Sequence, residues 1–183
     1  MMPHAHKMLL VDIDSCVRCH ACEIACRQEH GLSAETGPSW CRVVTIGPRR
    51  LDRRLHLDFL PVLCLHCDEP LCRAFCPSGV IHKDEEGRVL IDQERCTGCG
   101  LCVQGCPYGC ISFNEQSRTA GHCDLCRERT EAGREPACVQ HCIGGALQYV
   151  AREELAERTS GLHTVSSSTV CYASGKWRLH DCL

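Results

Sequence analysis

The chain has 183 residues, enough for one domain or two small ones, and its formal net charge is −3. Cysteine supplies 20 residues while aromatic residues supply only 4%, which leaves three sources of internal order: disulfides, zinc or iron-sulfur clusters. The acidic balance argues against non-specific nucleic-acid binding, and no stretch reaches the roughly 20 apolar residues of a membrane span.

Residues 1–10 contain no apolar run of signal-peptide length and no twin-arginine pair. The expectation is a reducing, cytoplasmic setting without direct membrane insertion, with export on a signal-bearing partner left open. Residues 10–15 read as a short strand entering Cys16, Cys19, Cys22 and Cys26, spaced C-x2-C-x2-C-x3-C. Residues 21–30 read as a helix closed by Gly31. Residues 43–46 and 55–60 read as a hairpin around an Arg- and Pro-rich turn. The second quartet follows: Cys64, Cys67, Cys72 and Cys76, spaced C-x2-C-x4-C-x3-C. A second hairpin is expected from residues 80–83 and 88–92 around Asp84-Glu85-Glu86-Gly87. The third quartet, Cys96, Cys99, Cys102 and Cys106, repeats the first spacing, and the fourth, Cys123, Cys126, Cys138 and Cys142, is C-x2-C-x11-C-x3-C. Residues 153–158 suit a helical turn or two, and the polar, serine-rich tail from Ser160 shows little periodicity.

Two internal echoes organise the cysteines. A shift of 80 residues lays Cys16 on Cys96, and Leu10-Val11-Asp12 upstream lands on Leu90-Ile91-Asp92. After the last cysteine of three quartets comes a shared turn: Cys76-Pro77-Ser78-Gly79-Val80, Cys106-Pro107-Tyr108-Gly109-Cys110 and Cys142-Ile143-Gly144-Gly145-Ala146. Its glycine suits a backbone with φ > 0. Cys110 stands where Val80 and Ala146 stand, so it reads as small apolar packing rather than a ligand.

Each quartet supplies the thiolates for one 4Fe-4S cluster. Zinc suits the fourth quartet almost as well. It suits the first and third poorly, because three cysteines at two-residue gaps wrap one cluster while the fourth reaches a neighbour. Pro77 and Pro107 after the last cysteine point the same way. Cys16-Val17-Arg18-Cys19-His20 matches a haem-attachment pattern, but the run continues to Cys22 and Cys26. A thioredoxin-like pair is disfavoured because the C-x2-C pairs lie inside larger quartets. His20 reads as a loop residue near a cluster. Spacing alone leaves open whether clusters pair in sequence order or in a nested arrangement. Four loaded clusters would bring the net charge near about −11, since ligand thiols deprotonate.

Residues 16–26, 60–72, 96–109, 122–126 and 133–142 together resemble the four-cluster iron-sulfur subunits of the dimethyl sulfoxide reductase superfamily. These include the small subunits of formate dehydrogenase and hydrogenase complexes, and tungsten aldehyde oxidoreductases use a similar polyferredoxin. The resemblance implies nested ligand sets. Cys16, Cys19, Cys22 and Cys142 would hold one cluster, and Cys26, Cys123, Cys126 and Cys138 its neighbour. Cys64, Cys67, Cys72 and Cys106 would hold a third, and Cys76, Cys96, Cys99 and Cys102 the fourth. It implies an α+β fold of two bacterial-ferredoxin-like modules within residues 8–150, one from 8–30 with 110–150 and one from 60–109. Residues 31–59 would be an inserted hairpin or loop, and 151–183 an irregular tail. The fourth quartet departs from the family pattern in having Ile143 where a proline is usual.

The function these readings imply is a non-catalytic electron-transfer subunit. It would pass single electrons through four 4Fe-4S clusters between a molybdenum- or tungsten-pterin catalytic subunit and a second redox subunit or soluble carrier. Self-association into longer cluster chains is a further expectation. The alternatives are a free-standing polyferredoxin and, from another class, a zinc-stabilised interaction module. Cys41, Cys171 and Cys182 carry no assignment.

Overall fold

The first strand, β1 (Lys7–Asp12), is apolar at four successive positions, all buried, as a strand covered on both faces requires. In a computed structural model describing residues 6–33, 37–51 and 53–176, it lies inside a sheet of order β8-β1-β10-β9. The other strands are β2 (Arg42–Leu51), β3 (Arg54–Val62), β4 (Ile81–Lys83), β5 (Val89–Ile91), β6 (Ile111–Asn114), β7 (Thr119–His122), β8 (Leu147–Ala151), β9 (His163–Ser166) and β10 (Val170–Ser174). They pair as three hairpins, β2–β3, β4–β5 and β6–β7, beside that sheet. The helices are short: α1 (Ala21–Glu29), α2 (Leu71–Ala74), α3 (Leu101–Gly105), α4 (Arg127–Glu131), α5 (Ala137–Gln140) and α6 (Leu155–Arg158). This mixture of strand and helix is α+β. Among the described residues no helix is long and apolar enough to cross a membrane.

Most expected elements form within a residue or two of their sequence limits, but the strand expected over 10–15 lies at Lys7–Asp12, because Ile13–Ser15 turn into a 3-10 helix capped by the Asp12 side chain. Helix α1 ends at Glu29, with His30 closing it and Gly31 at φ 61° beyond. The β2–β3 hairpin is longer than expected, and β6–β7, which sequence periodicity did not signal, joins the third and fourth quartets.

The tail is the correction. Far from irregular, residues from Ser160 onward supply β9 and β10, and β10 runs parallel to β1 with Leu10 opposite Cys171. All five β10 residues are buried, so the strand shows no polar-apolar alternation, the signal that marks half-exposed strands. The serines flanking it make turns: Ser167 N–H donates to the Val170 carbonyl and Ser168 N–H to Asp68 Oδ1. At the strand's far end Ser174 Oγ and Gly175 N–H both donate to Asp14.

From β10, Tyr172 reaches the main core, where its neighbours include Leu9, Val11, Leu63 and a group of cysteines. Its hydroxyl donates to the Pro61 carbonyl at 2.9 Å and accepts the Leu63 N–H at 3.4 Å, tying the tail to the segment entering Cys64. Cys171 points the other way and packs with Met8, Leu10, Val150 and Ala173. Cys182 lies outside the described residues. The Tyr172→Phe protein should lose about 1–3 kcal/mol of stability, because a buried carbonyl and N–H lose their partner. Anaerobic denaturant unfolding of the two proteins checks this, and equal midpoints would refute it.

Candidate metal centres

Four C-x2-C loops share one backbone feature. The residue before the second cysteine is left-handed in each: Arg18 (φ 56°), His66 (φ 48°), Gly98 (φ 69°) and Leu125 (φ 58°). For a non-glycine residue this costs roughly 1–2 kcal/mol, so surrounding structure must impose it. The first and third loops agree further, with His20 at φ 58° where Gly100 has φ 72°. These loops share one shape although only one of them uses glycine for it.

The turn after the last cysteine is equally regular. Gly79, Gly109 and Gly145 have φ of 65°, 57° and 66°. Their N–H groups donate to the carbonyls of Cys76, Cys106 and Cys142 at 3.2, 3.1 and 3.1 Å. The residues after them, Val80, Cys110 and Ala146, are all buried.

Strand pairing then brings distant cysteines together. β1 leads into Cys16, β8 leaves Cys142, and the two pair antiparallel with Val11 opposite Leu147. β5 leads into Cys96, β4 leaves Cys76, and they pair with Ile81 opposite Ile91. The same closing bond completes each pair: Asp12 N–H to the Ala146 carbonyl at 2.8 Å and Asp92 N–H to the Val80 carbonyl at 3.0 Å. A concavity of about 310 Å³ is thereby lined by Cys16, Cys19, Cys22 and Cys142. Its counterpart, about 300 Å³, is lined by Cys76, Cys96, Cys99 and Cys102. A third concavity is lined by Cys64, Cys67, Cys72 and Cys106, with Cys110 beside them.

Short helices place the remaining links. α1 carries Cys22 and, one turn on, Cys26, and it packs on α5, which carries Cys138. α2 carries Cys72 and packs on α3, which carries Cys102. Cys26, Cys123, Cys126 and Cys138 are all buried. Burial holds the Cys123 and Cys138 thiols well above the ordinary thiol range; Cys123 also feels Cys138 and Cys26, and Cys138 feels Cys126 and Cys26. Buried Arg129 braces this end, donating to Glu29 Oε2 at 2.9 Å and to the Glu135 carbonyl at 2.8 Å.

Burial is the main influence on several other thiols too. It pushes Cys64 and Cys126 up to about 12 and Cys72 to about 11. Cys106 departs from this: the adjacent Cys110 thiol, against the effect of burial, holds it down to about 5. The donor chemistry fits iron-sulfur clusters. Each set is four soft thiols in apolar surroundings, and thiols that burial keeps protonated need a cationic core before they ionise.

Two cysteines outside the quartets lie in the same core. Cys41 is buried among Cys22, Cys26 and Cys138, and Cys110 Sγ lies 3.2 Å from the Leu63 carbonyl oxygen. His20 Nδ1 lies 3.0 Å from Glu23 Oε1, so its partner is a carboxylate. Sequence reasoning singled out His20 and missed His30, whose Nε2 lies 3.5 Å from Cys126 Sγ. Nothing in the spacing could have shown that, because 96 residues separate the pair.

Gly98 and Gly100 have similar backbones but different room. A Cβ on Gly98 would meet the Arg118 carbonyl oxygen, whereas one on Gly100 would meet nothing within 4 Å. Gly100→Ala should therefore cost about 1–2 kcal/mol from its φ alone, and Gly98→Ala should cost more. Anaerobic thermal unfolding ranks the two, and the reverse order would contradict this packing.

Comparison with known proteins bears on these cysteines directly. Residues 55–152 match the family described as 4Fe-4S dicluster domain. The sequence is 36% identical over 148 residues to a tetrathionate reductase subunit of Salmonella typhimurium, an alignment covering 79% of this protein and 57% of that one. It is 31% identical over 163 residues to the iron-sulfur subunit of the nitrate-inducible formate dehydrogenase of Escherichia coli, covering 81% and 55%. To the thiosulfate reductase electron transfer subunit of Salmonella typhi it is 35% identical over 149 residues, covering 80% and 77%. The protein thus spans little more than half the length of the first two of these relatives. Its own sequence belongs to the 4Fe-4S dicluster domain family.

Proposed function

We propose that this protein is a non-catalytic electron-transfer subunit carrying four 4Fe-4S clusters. It passes single electrons between a molybdenum- or tungsten-pterin catalytic subunit and a second redox partner. The observation that carries this reading is that three concavities are each lined by cysteines from two different quartets, while Cys26, Cys123, Cys126 and Cys138 are buried together. The names of the relatives, which are subunits of a reductase or dehydrogenase and in one case an electron transfer subunit, support it.

In this reading Cys16, Cys19, Cys22 and Cys142 form one ligand set, and Cys26, Cys123, Cys126 and Cys138 the next. Cys64, Cys67, Cys72 and Cys106 form the third, and Cys76, Cys96, Cys99 and Cys102 the fourth. The α1–α5 pair would join the first two sets into one module, and the α2–α3 pair the other two into a second. A bound cluster supplies storage and release of one electron at a potential set by its surroundings. The protein's own residues fix positions, exclude water and neutralise charge. Cys19 and Cys99, equivalent in the repeat, are exposed, so the first and fourth sets reach the surface. Exposed Val17 and Ile143 flank the one, and exposed Phe75 and Leu101 the other. Two ends that reach the surface suit a conductor with two partners. The role also suits a reducing compartment, where thiolates persist.

Protein purified without oxygen should contain about 16 iron atoms and as many sulfides per molecule. A value of roughly 4 to 8 with zinc making up the difference would sink the proposal. Cys106→Ala should lose about four irons while Cys110→Ala keeps the full complement. Iron analysis of the two variants separates a ligand from a packing residue, and loss of iron from Cys110→Ala would reverse the assignment. A pterin-containing protein should co-purify. If none does, the protein is a free-standing carrier.

A further inference from the structure

His30 occupies an unusual place among the groups around the cysteines. It closes α1, and its N–H donates to the Cys26 carbonyl at 3.1 Å. Its side chain turns back toward the loop after β7, where Nε2 lies 3.5 Å from Cys126 Sγ. Cys26 and Cys126 belong to the same proposed ligand set, so the residue touches that set from two directions. The ring is held in place. Trp40 lies against it with centroids 4.5 Å apart. Trp40 is itself fixed by a 3.2 Å bond from its Nε1–H to Ser112 Oγ, and Gly121 leaves its ring room.

Two acceptors compete for a proton on Nε2. Asp124 Oδ1 is 3.7 Å away, beyond hydrogen-bond reach for oxygen, and already accepts the Cys126 N–H at 2.8 Å. Cys126 Sγ is nearer, and 3.5 Å is a normal N–H···S separation for the larger atom. The same sulfur takes a second donor, the Ala137 N–H at 3.4 Å. By contrast, Cys64 and Cys142 sulfurs take backbone donors, from His66 and Leu147. His30, Asp124 and Cys126 also lie within 4.8 Å of one another as a possible mononuclear metal site. Cys126 is already committed to the ligand set, which argues for a donor role for His30 instead.

We propose that His30 sets the reduction potential of the cluster held by Cys26, Cys123, Cys126 and Cys138 by donating its Nε2–H to the Cys126 sulfur. The inference rests on the cluster reading above. A hydrogen bond to a ligand sulfur stabilises the more negative, reduced state and so raises the potential. Trp40 holds the imidazole in place for this. The effect is confined to one cluster of four, making that cluster a better electron acceptor than its first-coordination chemistry alone dictates.

The test compares His30→Ala and His30→Gln with the parent protein, all purified without oxygen, by iron analysis and EPR-monitored redox titration. All three should contain about 16 irons. In His30→Ala one midpoint should fall by about 59 mV, a tenfold change in a one-electron equilibrium, while the others stay put. His30→Gln, whose amide N–H can replace the donor, should recover most of that shift. Unchanged midpoints in a fully loaded His30→Ala protein would overturn the inference. So would a shift that glutamine fails to reverse, which would indicate packing, or loss of one cluster from both variants, which would make His30 structural or a ligand. Failure of the cluster reading shows itself separately, as low iron in the parent protein.

Discussion

The antiparallel pairing of a strand entering a cysteine triplet with a strand leaving a distant single cysteine is the constraint on which the rest depends. It occurs twice, between β1 and β8 and between β5 and β4, with the same closing hydrogen bond each time. A ladder fixes register to the residue. Cys142 is therefore delivered to Cys16, Cys19 and Cys22 over more than a hundred residues of sequence. Without the ladder the first concavity would have three walls. The hairpin β4–β5 meets the same need locally, across a short turn, whereas the β1–β8 pair joins segments far apart in sequence.

The second constraint is charge. Sixteen thiols are crowded into a small protein, and burial pushes many of them away from ionisation. An apoprotein would bury neutral thiols around cavities, whereas a cationic core converts them to thiolates and fills the space. This accounts for the scarcity of aromatic residues: the main core is built largely from aliphatic side chains and cysteine sulfurs. The protein's own cations serve the scaffold instead. Buried Arg88 holds Asp84, Thr130 and Glu131 together, and Arg129 joins α1 to the α4–α5 connection.

The C-terminal strand shows why local reading failed where it did. Val170-Cys171-Tyr172-Ala173 is too short for a periodicity and sits among serines that read as loop. It becomes a strand because β1 offers it an edge and the core offers Tyr172 a buried place with two hydrogen-bond partners. The hairpin β6–β7 escaped notice for a related reason, since Thr119-Ala120-Gly121-His122 carries weak strand propensity. Gly121 is there because Trp40 lies against it, a reason belonging to another part of the sequence.

What the sequence determined by itself is the chemistry. Cysteine type and spacing, the 80-residue repeat and the glycine three residues after the last cysteine are local features. Local sterics translate them directly into left-handed turns and matching loops. The equivalence of Cys110 to Val80 and Ala146 was legible for the same reason. Only the tertiary structure decided that Cys142 lies beside Cys16, Cys19 and Cys22, because strand register and not cysteine spacing brings them together. It alone also placed Cys41 among the cysteines of two sets and turned His30 toward Cys126. Those contacts join segments far apart in sequence, and no local pattern records the packing that brings them together.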